Sequence, residues 1–138
     1  MSEIENKLLA RRSLEELVNT GAVDRIAEFF SPDFVAHHIE MRGFEAARQH
    51  LLTYHRCYPD LRVTVDGQIA EGDIVVTWWT MHGTHLGEFG GVKPTGKAIV
   101  LNGVNVQKIR DDRILEEWGG SNSLDELLRI GAVRWNIG

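Results

Sequence analysis

The chain has 138 residues, of which 43% are hydrophobic and 25% are charged, and its formal net charge is −5. This size and composition are typical of one globular domain, expected to span residues 1–138. The acidic balance argues against nucleic acid as a partner, because nucleic-acid-binding domains carry a basic face. No apolar run approaches the ~20 residues of a membrane-spanning helix, so no membrane partner is expected.

The N-terminus and the cysteine content predict a cytoplasmic protein. The opening segment MSEIENKLLARRS is charged and lacks the apolar core of a signal peptide. A single cysteine, Cys57, excludes an internal disulfide and fits a reducing compartment. No motif flanks Cys57, which favours a packed thiol over a nucleophile.

Helical patterns occupy the first part of the chain. Ser2 followed by Glu5 matches a capping box, which predicts a helix that begins near residue 3. Gly21 is a typical C-terminal stop for it. A short second helix is predicted over residues 23–30.

An extended piece and a third helix follow. The extended piece is predicted over residues 34–39, and the helix runs from Gly43 to about Tyr58. One stripe of this helix is spaced by 4, 3 and 4 residues, namely Ala47, Leu51, Tyr54 and Tyr58.

Strand patterns begin after Pro59. Alternation typical of a half-buried strand is seen at Leu61, Val63 and Val65. Residues 73–85, DIVVTWWTMHGTH, are rich in β-branched and aromatic side chains and predict a long strand. Another long strand is predicted over 98–109. A tight turn at Asp111-Asp112 leads into a strand over 114–120, which together predict a hairpin.

The order of these elements predicts an α+β fold. Ser123 with Glu126 forms a second capping box, and the last helix ends at Gly131. Three helices, then mostly antiparallel strands, then a short helix imply helices on one face of a curved sheet. Such a sheet half-closes around an apolar pocket, which is a common small-molecule site.

Alternation along the strand 73–85 predicts which side chains enter the pocket. The more apolar set is expected to face inward and consists of Val75, Thr77, Trp79, Met81 and His85. His85 then lies at the cavity mouth, where the glycine-rich segment 83–97 starts. Trp78 faces outward, which predicts a homodimer through the sheet.

The strand that follows the hairpin turn carries a second row of side chains. One face is predicted to hold Ile114, Glu116, Trp118, Gly120 and Asn122. Asn122 ends this row, and two interpretations remain open. It either orients a ligand or caps the next helix, a role for which Ser123 competes.

Neither a metal site nor a phosphate loop is predicted. The six histidines form three pairs with poor ligand spacing: His37 with His38, His82 with His85, and His50 with His55. The segment 83–97 lacks the GxxxxGK[ST] pattern and leads into a strand rather than a helix.

Six segments in order carry a family pattern over most of the chain. They are SPDFVAHH (31–38), CYPDLRVTV (57–65), EGDIVVTWWTMHGTHLGEF (71–89), PTGK (94–97), RDDRILEEW (110–118) and ELLRIG (126–131). Together they resemble the SnoaL-like polyketide cyclases of the nuclear transport factor 2-like fold. The resemblance implies a cone-shaped α+β barrel, in which three N-terminal helices pack on a strongly curved, mostly antiparallel sheet around one cavity.

The resemblance also implies an activity. SnoaL-like cyclases close a ring by intramolecular aldol condensation without metal or cofactor, and a carboxylate serves as general acid/base. The matching position, four residues after Trp118 and nine before Gly131, is Asn122. An amide cannot take a proton, although it can hydrogen-bond a carbonyl or enolate. His85 and His37 match family histidines near the cavity, and His85 is the first choice for proton transfer.

Three functional hypotheses result. The leading one is a cofactor-independent cyclase or aldol-type enzyme for a hydrophobic, polyketide-like carbonyl compound. Its predicted substrate-binding residues are Trp79, Met81, Trp118, Tyr54 and Phe89. The alternatives are a non-catalytic binding protein, or an isomerase, dehydratase or epoxide hydrolase on the same scaffold. For each histidine, a hydrogen-bonded structural role is the competing interpretation.

Overall fold

The structure, a computed structural model, describes residues 2–136. Its α-helices are α1 (Glu3–Arg12), α2 (Ile26–Phe29), α3 (Gly43–Cys57) and α4 (Ser123–Arg129). Its strands are β1 (Phe30–Ala36), β2 (Met41–Arg42), β3 (Arg62–Glu71), β4 (Ile74–Thr84), β5 (Ala98–Arg110) and β6 (Arg113–Ser121). A π-helical turn over Ser13–Val18 extends α1, and a 3₁₀ turn over Val23–Arg25 precedes α2. Within this part of the chain, no helix combines the length and the apolarity needed to cross a bilayer.

The six strands form one sheet in the order β2-β1-β6-β5-β4-β3. Neighbours are antiparallel except for β1 and β6, which are parallel. Helices α1 and α3 pack on this sheet, and their apolar side chains share a core with Val75 of β4 and Ile114 of β6. The sheet is curved but does not close into a barrel. The predicted α+β class, with helices against a curved sheet, is confirmed.

Most of the predicted helix ends are confirmed. The Ser2 hydroxyl accepts a hydrogen bond from the Glu5 backbone N–H at 3.1 Å and caps α1. Gly21 and Gly131 follow their helices with φ of 69° and 79°, a conformation that glycine adopts without strain.

The second predicted capping box is wrong. Asn122 occupies the N-cap position of α4, and its side chain makes no cap hydrogen bond. The Ser123 hydroxyl bonds the Ser121 hydroxyl instead, at 2.6 Å. Glu126 accepts from the backbone N–H of Val100 at 2.8 Å and so ties α4 to β5. Glu126 therefore bonds the backbone of the distant strand β5 instead of the backbone at the start of its own helix.

The first strand begins earlier than predicted. β1 starts at Phe30, directly after α2, and ends at Ala36, whereas the extended piece was predicted over residues 34–39. Its pairing with β6 is interrupted between Phe30 and Val35, and Pro32 lies in that interruption. Proline is tolerated there because its missing N–H is not needed for the ladder.

The predicted alternation of residues 75–81 along β4 and the predicted hairpin turn are confirmed. Four inward side chains of β4 are buried: Val75, Thr77, Trp79 and Met81. Trp78 faces outward and is 43% exposed. At the turn, Asp111 and Asp112 have φ of 52° and 61°, as in the type I′ turns that join twisted antiparallel strands.

Candidate active site

A cavity of about 360 Å³ lies between the helices and the inner face of the sheet. Most of its wall is apolar, with contributions from the first helical segment, α3 and the central strands, as at Leu14, Leu17, Leu51, Val63 and Met81. Polar side chains also line it, including His38, His50, Asn105, Gln107, Glu117 and Ser121. An apolar pocket with a few polar groups is the usual form of a small-molecule site.

A β-bulge turns Glu117 into this cavity. Lys108 of β5 pairs with Glu116 and Ile109 pairs with Ile114, so Leu115 of β6 has no partner across the ladder. One extra residue reverses the alternation along the rest of a strand. Glu117 therefore faces inward and is 8% exposed, whereas Trp118 faces outward.

The Glu117 carboxylate has few polar partners in its buried position. Gln107 Nε2 donates a hydrogen bond to Oε1, and His38 Nε2 lies 3.8 Å from Oε2. Burial raises the pKa of Glu117, opposed by the Gln107 hydrogen bond and by the nearby His38. A carboxyl group with a raised pKa in a cavity is typical of a general acid/base.

Two histidines complete the polar cluster around Glu117. His38 lies in the turn after β1, and His50 lies on α3 with its ring stacked on Tyr54 at 5.0 Å. Burial, together with His38, lowers the pKa of His50 to about 4, so its ring is neutral at neutral pH. The nearest ligating atoms of His38, His50 and Glu117 lie within 4.8 Å of one another, so these residues are candidates for holding a metal ion.

Trp79 forms a fixed aromatic part of the wall. Its indole Nε1 donates to Asn105 Oδ1 at 3.2 Å. The ring lies against Gly103, its partner across the β4–β5 ladder, where a Cβ atom would come within 2.2 Å of it. The absence of a side chain at Gly103 therefore creates the space that Trp79 fills.

Comparison with known proteins assigns the chain to a family. Residues 8–128 match the model of the SnoaL-like polyketide cyclase family. The chain belongs to this family. The resemblance predicted from the sequence segments is confirmed. No curated protein sequence matches this chain significantly.

Solved structures agree with this assignment. AclR from Streptomyces galilaeus, a candidate hydroxylase, is 28% identical over 97% of this chain and 89% of its own, with a TM-score of 0.82. IdmH from Streptomyces antibioticus, a candidate polyketide cyclase, is 28% identical over 91% of this chain and 98% of its own, with a TM-score of 0.76. TsrD from Streptomyces laurentii, at 22% identity, covers 96% of this chain and 99% of its own with a TM-score of 0.85, which supports the fold alone.

The structure brings only some of the predicted site residues of this SnoaL-like protein to the cavity. Tyr54, Trp79 and Met81 line it, as the sequence pattern predicted. Trp118, also predicted there, is 39% exposed on the other face because of the bulge. Its ring stacks on His37 at 4.6 Å, and His37 Nε2 bonds Glu116 Oε1 at 2.9 Å. His37 and Trp118 thus form a polar and aromatic group on the outer face.

His85 is buried but does not line the cavity. Its Nδ1 accepts from the Thr95 backbone N–H and lies 3.2 Å from the Thr95 hydroxyl. Its backbone pairs with Gly96 and Lys97. The predicted position at the cavity mouth is therefore wrong, because β4 ends at Thr84 and His85 instead holds the loop that follows. Phe89 of that loop is 47% exposed and also lies outside the lining.

Asn122 is likewise absent from the lining. Its Oδ1 accepts from the Asn102 backbone N–H at 2.8 Å, and its own N–H donates to Asn102 O at 3.2 Å. This amide extends the pairing of β5 with the end of β6. The catalytic roles predicted for Asn122, His85 and His37 thus receive no support from their positions.

Glu117, His38 and His50 were missed as a group. The one available signal for Glu117 was the pair Glu116-Glu117 within a strand, since alternation must turn one of two adjacent carboxylates inward. No spacing in the sequence relates His38 to His50 or to Glu117, because they come from a turn, a helix and a strand.

Burial of Glu117 predicts a stability that depends on pH. The folded-state pKa is raised above the value of 4.5 for a free side chain, so this group costs stability as the pH rises through its folded pKa. We expect Glu117→Gln to be more stable than wild type at pH 8, by about 1.4 kcal/mol per unit of pKa difference. The gain should vanish near pH 4, where wild-type Glu117 is protonated in both states.

Urea denaturation at both pH values, with EDTA present to exclude metal ions, measures this difference. Glu116→Gln is the matched control, because it removes the same charge from the opposite face of β6. A Glu117→Gln protein that is no more stable than Glu116→Gln at pH 8 would show that burial does not penalise the carboxylate.

Proposed function

We propose that this SnoaL-like protein is an enzyme that moves a proton at a carbon next to a carbonyl group of a hydrophobic, polyketide-like compound. The observation that carries the proposal is Glu117, a carboxylate in the wall of a mostly apolar cavity. Membership of a polyketide cyclase family supports the choice of substrate class. The acid/base group is one residue before Trp118 rather than four residues after it.

The arrangement around Glu117 suits a proton transfer. Gln107 Nε2 bonds Oε1, whereas Oε2 lies 3.8 Å from His38 Nε2 and is not held by Gln107. A raised pKa makes the ionised carboxylate a stronger base and brings it closer to the pKa that suits catalysis at neutral pH. Oε2 takes a proton from the carbon next to a carbonyl, which leaves an enolate.

The enolate then closes the ring. Its carbon attacks a second carbonyl carbon of the same molecule, so a carbon–carbon bond forms and the attacked oxygen becomes an alkoxide. The alkoxide takes the proton back from the Glu117 carboxyl, and the carboxylate is restored. The step is an isomerisation in which atoms and charge balance without another reactant.

The apolar side chains of the cavity wall bind the hydrophobic substrate. Trp79 offers a flat ring whose orientation is held by Asn105, so it can pack against a planar ligand without losing further rotamer freedom. Exclusion of water by the surrounding apolar side chains strengthens the interactions of Glu117 with the developing charge.

Deuterium exchange tests the proposal directly. Wild-type protein is incubated in D₂O with a panel of polyketide-like β-keto esters, and mass spectrometry follows both deuterium at the carbon next to the carbonyl and ring closure. Exchange above the buffer rate is expected for at least one ester even where the ring cannot close. Binding without exchange or product across the panel would contradict the proposal.

A non-catalytic binding protein is the second candidate. It is favoured by Asn122, an amide where the family resemblance places the catalytic carboxylate. The same incubations decide between the two, because a binding protein returns every ligand unchanged.

We also propose that the outer face of the sheet binds a second copy of the chain. Trp78 lies there beside Val104, its partner on β5, and both are exposed.

Trp78→Glu is expected to convert a dimer into a monomer in light scattering, whereas Leu86→Glu, an exposed apolar position in the loop, should not. A monomeric wild type would refute this interface. We place the dimer in the cytoplasm, where the lone Cys57 stays reduced.

A further inference from the structure

We infer that His38, His50 and Glu117 form a binding site for one divalent transition-metal ion. Each offers one ligating atom, and these atoms lie within 4.8 Å of one another. The separation of His38 Nε2 and Glu117 Oε2 is 3.8 Å. Two imidazoles and a carboxylate from a turn, a helix and a strand thus converge on one point of the cavity wall.

Hydrogen bonds among the three side chains do not explain this convergence. The distance from His38 to Glu117 is too long for a hydrogen bond. Within residues 2–136, the rings of His38 and His50 have no hydrogen-bond partner, in contrast to those of His37, His55 and His85. Their nitrogen lone pairs are therefore available to a ligand.

The geometry is close to that of a metal centre. Bonds of about 2.0–2.2 Å to nitrogen and oxygen place neighbouring ligand atoms roughly 3–3.5 Å apart. The cluster needs to contract by about 1 Å to reach this spacing. His38 belongs to the exposed turn over residues 37–40, which can supply the movement. Gln107 donates a hydrogen bond to the other carboxylate oxygen of Glu117, Oε1, as supporting hydrogen bonds do in metal sites.

The ligand set selects the class of ion. Two imidazoles with one carboxylate suit Zn²⁺, Co²⁺ or Fe²⁺, whereas Mg²⁺ and Ca²⁺ prefer oxygen ligands throughout. Three protein ligands leave at least one coordination position open toward the cavity. A metal ion on Glu117 occupies the oxygen that would take a proton, so the ion and the proposed proton transfer exclude each other.

Metal binding is measured with Co²⁺ and Zn²⁺ alone, on protein first treated with EDTA. Calorimetry should show one ion per chain, and Co²⁺ should give the visible absorption of a low-coordinate site. His38→Asn, His50→Gln and Glu117→Gln are each expected to weaken binding at least about ten-fold. His37→Asn is the matched control and should bind as wild type does, because its ring lies on the outer face with Trp118. Excess Mg²⁺ should not displace Co²⁺.

Absence of saturable binding by the wild type would overturn the site. Equal weakening by His37→Asn and His38→Asn would also overturn it, since it would place the ion elsewhere on the surface. His38 lies in an exposed turn rather than in a helix or strand, although its side chain is only 19% exposed, so its variant tests the site even if His50→Gln misfolds, and circular dichroism checks the fold of each. Metal binding at this site is measured directly and does not require catalytic turnover. The deuterium exchange assay is run in EDTA, so the proposed function and the metal site can fail separately.

Discussion

Glu117→Gln is expected to slow deuterium exchange and ring closure by about 10²–10⁴-fold, the usual contribution of a general acid/base. The substitution keeps the shape of the side chain, and its amide oxygen can still accept the hydrogen bond from Gln107. It removes the only buried carboxylate that lines the cavity within residues 2–136. Ligand affinity, measured by quenching of the intrinsic tryptophan fluorescence, should change far less than the rate.

Glu116→Gln is the control variant for Glu117→Gln in the deuterium exchange assay. Glu116 is adjacent in sequence but lies on the outer face of β6, where it bonds His37. Its variant should exchange deuterium at a rate within about two-fold of wild type, since it reaches neither the cavity nor Gln107. Equal rates for Glu116→Gln and Glu117→Gln would rule out Glu117 as the base and leave the acid/base group unassigned.

Gly103→Ala is expected to destabilise the protein by roughly 2–3 kcal/mol, because it overpacks a filled space. The added methyl group would come within 2.2 Å of the Trp79 ring, which is 8% exposed and lines the cavity. Trp79 must then rotate into the cavity and lose its hydrogen bond to Asn105. Urea unfolding should show a lower midpoint with an unchanged slope. Ligand binding should weaken in the same variant.

Gly120→Ala on the neighbouring strand is the matched control. A Cβ atom at Gly120 meets nothing within 4 Å, and its φ is not in the left-handed region. This variant should be as stable as wild type to within about 0.5 kcal/mol. Similar midpoints for Gly103→Ala and Gly120→Ala would show that Trp79 adapts without cost, contrary to the packing observed.

Local patterns in the sequence predicted the fold well. Capping at Ser2, the stop at Gly21 and the turn at Asp111-Asp112 depend on residues that are neighbours in the chain, so sequence alone sufficed for them. The alternation along β4 was also correct, because its pairing with β5 has no irregularity. The positions of Trp79 and Met81 in the cavity wall were therefore predicted correctly.

The same reasoning failed on β6, for a specific reason. Unpaired Leu115 shifts the alternation by one residue, and a bulge of this kind is set by how β5 and β1 pack on either side of the strand. Trp118 was consequently assigned to the cavity and Glu117 was overlooked. A prediction based on period two cannot detect a bulge, since the sequence on both sides of it alternates normally.

Apart from the two-residue strand β2, which was not predicted, sequence by itself determined the order of helices and strands, the α+β class and the family, because caps, turns and periodic apolar residues act over a few positions. Tertiary structure alone decided the site. His38, His50 and Glu117 come together only when the turn after β1, helix α3 and strand β6 pack around one cavity. The choice of Glu117 over Asn122 as the candidate base likewise depends on contacts between strands: a bulge opposite Lys108 and a hydrogen bond to Asn102.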